Sequence, residues 1–319
     1  MNDVVDYLLS GDPAIRWQTL RDLTDAPPSA VAEARAEVAV SGWGARLLAE
    51  QAEDGRWDGG TYRPGWVDDE KPFFDAWTAT HFSLQSLVEY GVDPDAETVR
   101  AAIDRVASQV SWQYHGTKYF EGETESCING IALANGAYFG QDTSRIVQTL
   151  LAGQHEDGGW NCWSEEEPQA PSSFHSTLAV LEGLRAIPDP SDEVTAARLR
   201  GEEYLLERGL LWRVTDGELT DVRFTLLASP VRWYYDVLRA LDYFRLARPE
   251  RDPRLARAID LLRSKQLPNG MFPLEYHHEG PTLFELEAEG EGHPSRWVTL
   301  RALRVLRWWN DAGPVTVTP

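Results

Sequence analysis

The pattern Gln-x-x-x-Gly-x-aromatic occurs three times in this chain: QAEDGRW from Gln51 to Trp57, QHEDGGW from Gln154 to Trp160, and QLPNGMF from Gln266 to Phe272. The copies start 103 and 112 residues apart, so one structural unit recurs along the chain. Each residue type has a physical reason to be there. Gln closes a helix, Gly permits the turn, and the aromatic packs back over the helix end.

A second repeat opens helices. IRWQTLRDL (15–23), VRWYYDVLRAL (231–241) and SRWVTLRAL (295–303) share Arg-Trp followed by Leu-Arg. FFDAWTATHFSL (73–84), ESCINGIALANG (125–136) and SFHSTLAVLEGL (173–184) fill the same slot. Aligned, they place Trp17, Asp75, Cys127, His175, Trp233 and Trp297 at equivalent positions. These six segments are apolar or small on most faces, as buried helices are. Amphipathic helices with charged outer faces are expected between them, at 29–51, 93–112, 142–154, 194–208 and 253–266. Strand signals are weak. The alternation predicts an all-α chain folded as an α/α toroid, six inner helices ringed by outer ones, in one domain over residues 1–312 with a short tail at 313–319.

The connections are unequal. Links from inner to outer helices are short, such as GVDPD at 91–95. The return links are long, at 55–71, 113–124, 155–171, 213–228 and 270–293. All the long links lie on the face where inner helices begin, and long loops on a rigid scaffold usually carry function. Converging helix N-termini there favour anionic groups.

Composition narrows the partners. The 319 residues carry a formal charge of −21, which argues against nucleic acid and anionic membrane surfaces. No apolar run is long enough to span a bilayer, and the N-terminus lacks the features of a signal peptide. Two cysteines make no disulfide framework, and a cytoplasmic location is expected.

The Gln-x-x-x-Gly-x-Trp copies and the inner-helix starts resemble the terpenoid cyclase and protein prenyltransferase superfamily, and within it the short bacterial proteins called squalene-cyclase-like. The likeness covers nearly the whole chain. It implies an α/α barrel with an aromatic-lined central cavity that opens at one end. In the cyclases, an acid in an Asp-x-Asp-Asp motif protonates an alkene. That motif is absent here, and Asp75 is the acid at a comparable helix start. In prenyltransferases, an Asp, a Cys and a His hold zinc near the barrel mouth. Asp75, Cys127 and His175 match that set by type and ring position, though not by spacing.

The residues can also be read without the family. Cys127 and His175 head adjacent inner helices, and Cys162 lies in the loop between them. Thiolate and imidazole are zinc ligands, so Cys127, Cys162 and His175, with Asp75 as a fourth or outer ligand, form the candidate metal set. The plainer account makes the cysteines small hydrophobes and His175 a core hydrogen-bonding group. Glu123 and Glu125 precede Cys127 as helix caps or as an acid and base. Arg16-Trp17, Arg232-Trp233 and Arg296-Trp297 fall on three neighbouring helices. There the arginines either pair with loop acids or form an anion site. With Trp77, these residues are the candidate substrate-binding set. EYHHEG, from Glu275 to Gly280, carries His277 and His278 on a long loop. The expected function is cyclisation or prenyl transfer on an isoprenoid or other apolar substrate, with zinc as an assisting ion. The alternatives are a non-catalytic toroid that binds a lipid or a protein, and zinc-dependent thiol chemistry of the lanthipeptide-cyclase kind.

Overall fold

The computed structural model describes residues 2–67, 76–162, 170–248, 250–287 and 289–310. Thirteen α-helices run through them: α1 (Asn2–Leu9), α2 (Pro13–Leu23), α3 (Pro28–Ala36), α4 (Gly42–Ala49), α5 (Thr80–Tyr90), α6 (Glu97–Gln109), α7 (Ser126–Tyr138), α8 (Ser144–Ala152), α9 (Phe174–Ala186), α10 (Asp192–Glu207), α11 (Val237–Ala247), α12 (Ala256–Ser264) and α13 (Arg296–Asn310). Extended chain among the described residues occurs as isolated bridges, such as Trp57 with Gly60, so the chain is all-α. No helix of the described residues is long and apolar enough to cross a membrane.

Local chemistry starts these helices. The Asp12 carboxylate accepts from the amide of Ala14, with Pro13 in the first turn of α2. Ser173, Ser191 and Asp236 cap α9, α10 and α11 in the same way. The two helix types differ in burial. α6 buries Val99, Ala102, Ile103 and Val106 on one stripe. α9 buries Phe174, the run from Ser176 to Leu181, Gly183 and Leu184, which leaves it little solvent face.

The three Gln-x-x-x-Gly-x-aromatic copies share one geometry. Nε2 of Gln51, Gln154 and Gln266 donates to the carbonyl of Gly55, Gly158 and Gly270 respectively, at 3.0, 2.7 and 2.9 Å. In the first two copies the same Nε2 also reaches the carbonyl of Ala102 or Ala197 on the following outer helix, at 2.9 and 2.8 Å. Gly158 has φ +89°, and a Cβ there would stand 2.7 Å from the carbonyl oxygen of Arg200. The buried indoles of Trp57 and Trp160 donate back to the carbonyls of Leu47 and Leu150 on the preceding helix, each at 2.7 Å. The main-chain amides of Trp57, Trp160 and Phe272 donate to the hydroxyls of Thr80, Thr177 and Thr299, which join the turns to α5, α9 and α13.

Those threonines give the true register of the repeat and correct the expected one. His175 and Trp297 lie two residues before Thr177 and Thr299, but Asp75 lies five before Thr80. The helix expected at 73–84 starts only at Thr80. The one expected at 231–241 starts at Val237, because Asp236 supplies the cap, and Arg232 and Trp233 belong to the loop before it. The outer helix expected over 29–51 is two helices, α3 and α4, broken before Gly42, which has φ +67°.

The helices α2, α5, α7, α9, α11 and α13 are joined by specific contacts. The Trp17 indole and Gln18 amide of α2 donate to the carbonyls of Tyr90 and Glu89 at the end of α5. His81 of α5 and Asn135 of α7 both bond the Tyr119 hydroxyl. α7 and α9 approach through Gly130 and Gly183, where an added Cβ would meet backbone at 2.5 Å. Glu182 of α9 holds Arg239 of α11 through two hydrogen bonds, at 2.9 and 2.6 Å. Asp242 of α11 holds Arg304 of α13, whose guanidinium also reaches Gln18 of α2 at 3.0 Å.

Candidate functional site

A cavity lies between α4, α5 and the loops that lead into α5, α11 and α13. Leu47, Trp77, Ser83, Ser86, Tyr90 and Arg232 line one side, and Thr282, Leu283, Phe284 and Leu286 fill the other. About 20 Å³ remains open to water centres, enough for a single water. Trp77 is fixed by its indole donating to the carbonyl of Glu279 at 2.8 Å and by an edge-on contact with Phe82. Arg232 places its guanidinium carbon 5.5 Å from the centre of the Trp77 ring. Burial pulls the Arg232 guanidinium down to about 10.

A network of buried ions joins α11 and α13. Asp242 accepts from Arg304 and Arg245, with Arg301 3.9 Å away, and these cations hold its carboxyl well below the usual range against the cost of burial. Burial raises the carboxyls of Glu89 and Asp236. Oδ2 of Asp236 and Nη1 of Arg301 are buried with no hydrogen-bond partner among the described residues. The interior of this helix set is therefore not uniformly apolar, as a purely aromatic cavity would be.

Of the candidate substrate-binding residues, Trp77 and Arg232 line the cavity. Arg16 instead pairs with Glu37 at 3.2 Å, and Arg296 lies over the Tyr7 ring and donates to the Tyr7 carbonyl. Pairing with an acid thus fits Arg16, whereas Arg296 is held by the Tyr7 ring and carbonyl. Trp17 is buried between the guanidinium groups of Arg21 and Arg35. Trp297 is buried and stacks with Trp43 and Tyr90. Trp233 stacks on Tyr234 with ring centres 3.8 Å apart, and Tyr234 stacks in turn on His278 at 3.9 Å.

The candidate metal ligands divide. Single donor atoms of Glu125, Cys127 and Cys162 lie within 4.8 Å of one another. The Cys162 sulfur accepts from the Cys127 amide at 3.2 Å and lies 3.2 Å from the Ser176 hydroxyl, between the first turns of α7 and α9. The hydrogen bond between the two cysteine side chains, reinforced by burial, pushes the Cys127 thiol well above its usual value. Two sulfurs and a carboxylate suit a soft divalent cation. His175 is not part of this group, contrary to the expected ligand set. Its Nδ1 accepts from the main-chain amide of Tyr235 at 2.8 Å, and its ring packs against Phe224 and Trp233. Asp75, expected as the acid and as a fourth ligand, lies outside the described residues.

The remaining acids act locally. Glu123 Oε2 accepts from the amides of Thr124 and Glu125 in the turn before α7, and no side chain caps that helix. Glu275 is bound to Lys265 and to the amide of Leu227, which separates it from the neighbouring histidines as a functional cluster. Sequence reasoning missed Tyr90 and the segment from Thr282 to Leu286 as cavity walls, and Arg239, Arg301 and Arg304 as interior cations.

No protein-family model matches this chain, and no curated protein sequence matches it. A solved structure, the crystal structure of a protein from Actinoplanes, is similar over 93% of this chain and 90% of that one, at 16% identity and a TM-score of 0.42.

Proposed function

We propose that the six inner helices form an α/α toroid of the cyclase and prenyltransferase kind, in a single domain, and that its interior takes an apolar, isoprenoid-like molecule. The observation that carries this reading is the cavity wall, where Leu47, Trp77, Tyr90, Leu283, Phe284 and Leu286 meet among the inner helices. The contacts of α2 with α5 and of α13 with α2 support the ring. Aromatic walls suit an unsaturated chain, and Trp77 and Tyr90 offer ring faces to a developing cation. Cyclisation or prenyl transfer is the chemistry that follows if an acid or a metal reaches the chain.

The test is binding of farnesol to the intact protein, read by tryptophan fluorescence and native mass spectrometry, in wild type and Trp77→Ala. A one-to-one complex weakened at least several-fold by the substitution supports the reading. Farnesol that fails to bind, or that binds equally to both proteins, overturns it.

A metal-assisted version rests on the proximity of Glu125, Cys127 and Cys162. These three would hold zinc and leave a fourth position for a water or thiol that the ion activates. Elemental mass spectrometry of untagged wild type and Cys162→Ser decides this version. Near-stoichiometric zinc lost in the variant supports it, and wild type without zinc after purification in its presence rejects it.

A further inference from the structure

Arg232 differs from the other buried arginines. It is 6% exposed. Arg239, Arg245, Arg301 and Arg304 each have a carboxylate within 4.0 Å. The Arg232 guanidinium has no ion pair and no hydrogen bond among the described residues. The carboxylate it senses is that of Glu89, which is shared with Arg239, Arg301 and Arg304, since burial keeps the Tyr90 hydroxyl neutral. None of its nitrogens is among the buried atoms that lack a partner, so they reach the open space of the cavity, where water or a ligand supplies their hydrogen bonds. The backbone here is strained, because Arg232 has φ +54°, a left-handed conformation that a long side chain rarely adopts. The strain is held in place by two donors to the Arg232 carbonyl, Gln85 Nε2 at 2.7 Å and Arg239 Nη1 at 3.4 Å. The loop is therefore braced so that a lone guanidinium lines the cavity.

The opposite wall is a segment that packs without backbone bonds. It is pinned at one end by Trp77, whose main-chain amide and indole donate to the carbonyls of Pro281 and Glu279 at 3.0 and 2.8 Å. At the other end the Glu287 carboxylate accepts from the Ser295 hydroxyl and the Arg296 amide, each at 2.5 Å. Between these anchors, the chain from Thr282 to Leu286 makes no backbone hydrogen bond among the described residues. Leu283, Phe284 and Leu286 pack against the core, and Phe284 lies beneath Arg46 at 4.2 Å. Replacing these side chains with the tail of a ligand would break no backbone ladder, so the exchange costs little beyond packing.

We propose that Arg232 is the binding group for the carboxylate of an apolar monocarboxylic acid, whose chain occupies the place taken by Leu283, Phe284 and Leu286. The inference deepens the apolar-pocket reading and rests on it. One uncompensated guanidinium matches one negative charge, and its planar fork suits a carboxylate. A diphosphate brings more charge than this single cation can neutralise. Arg239, Arg245 and Arg304 are engaged with Glu182 and Asp242, and Arg301, 3.9 Å from Asp242, does not line the cavity.

The test is calorimetric titration of the full chain with dodecanoate, dodecanol and dodecyl phosphate, using wild type, Arg232→Met and Phe284→Ala. Wild type should bind dodecanoate at least about tenfold more tightly than dodecanol, the scale of a charged hydrogen bond. Arg232→Met should bind the two equally. Phe284→Ala should bind both several-fold more tightly, because it opens space. A separate readout needs no ligand: Arg232→Met should raise the melting temperature, since it removes an unpaired buried charge. A lower melting temperature would mean that Arg232 is already satisfied, and would overturn the proposal. Equal binding of dodecanoate and dodecanol by wild type would overturn the carboxylate assignment and leave the apolar pocket standing. Tighter binding of dodecyl phosphate than of dodecanoate would overturn the assignment to a monoanion. No binding of any probe, even to Phe284→Ala, would remove the pocket reading along with it.

Discussion

His175, in the first turn of α9, accepts the main-chain amide of Tyr235 on Nδ1 at 2.8 Å. The bond requires that nitrogen to be unprotonated, and burial lowers the group to about 4. His81 and His278 are lowered by burial as well, each to about 3. All three stay neutral in the folded chain while an unfolded histidine takes up a proton near pH ~6.5. Their contribution to stability is therefore fully present above that pH and is lost as pH falls through it toward the folded values. For the fully buried His81, the loss between pH 7 and pH 5 should be about 2 kcal/mol. Urea unfolding at both pH values, on wild type and His81→Leu, checks this. A drop of the same size in the variant would show that His81 is not responsible.

The buried carboxylate of Asp242 serves Arg245 and Arg304 together. Asp242→Asn leaves two buried cations short of a counter-charge, so it should destabilise the fold by about 3–5 kcal/mol. Chemical denaturation measures it. A cost below ~1 kcal/mol would mean that water or other acids already screen these arginines.

Gly158 and Gly116 both have positive φ, but only Gly158 faces a backbone carbonyl at close range. Gly116→Ala should cost about 1 kcal/mol, from the left-handed backbone alone. Gly158→Ala must in addition push the turn away from Arg200, and should cost roughly 3 kcal/mol. Equal costs in thermal melts would show that the close approach at the repeat turn is not tight.

Cys162 is partly exposed, whereas Cys127 is buried and its thiol is raised by Cys162 and by burial. Iodoacetamide at neutral pH should label Cys162 first and Cys127 only after denaturation. Peptide mass spectrometry after timed labelling reads the order, and simultaneous labelling would contradict the buried position of Cys127.

Much of the helical framework was legible from residue spacing, because its devices are local. Gln, Gly and an aromatic within seven residues specify one turn, and the structure repeats it at Gln51, Gln154 and Gln266. The helices α6, α7 and α9 fall within a few residues of expectation for the same reason. The start of α11 was also present in the sequence, as Asp236 ahead of an apolar run. The likeness of Arg232-Trp233 to Arg16-Trp17 drew the register upstream instead.

Other relationships have no local signature. Arg301 and Arg304 on α13 read as polar positions of an amphipathic helix, since spacing reveals a period and not what the face meets. Asp242, 62 residues before Arg304, becomes its partner only when α11 packs on α13. Cys127 and Cys162 come together because α7 and α9 pack closely at Gly130 and Gly183, whereas the loop before α11 brings the Tyr235 amide onto His175. The sequence by itself determined that the chain is helical, where the repeat turns fall and the course of helices such as α6, α7 and α9, because those depend on neighbours a few residues away. Tertiary structure alone decided which charges are paired, which arginine lines the cavity and which loop fills it, because burial and electrostatics depend on groups distant in the chain.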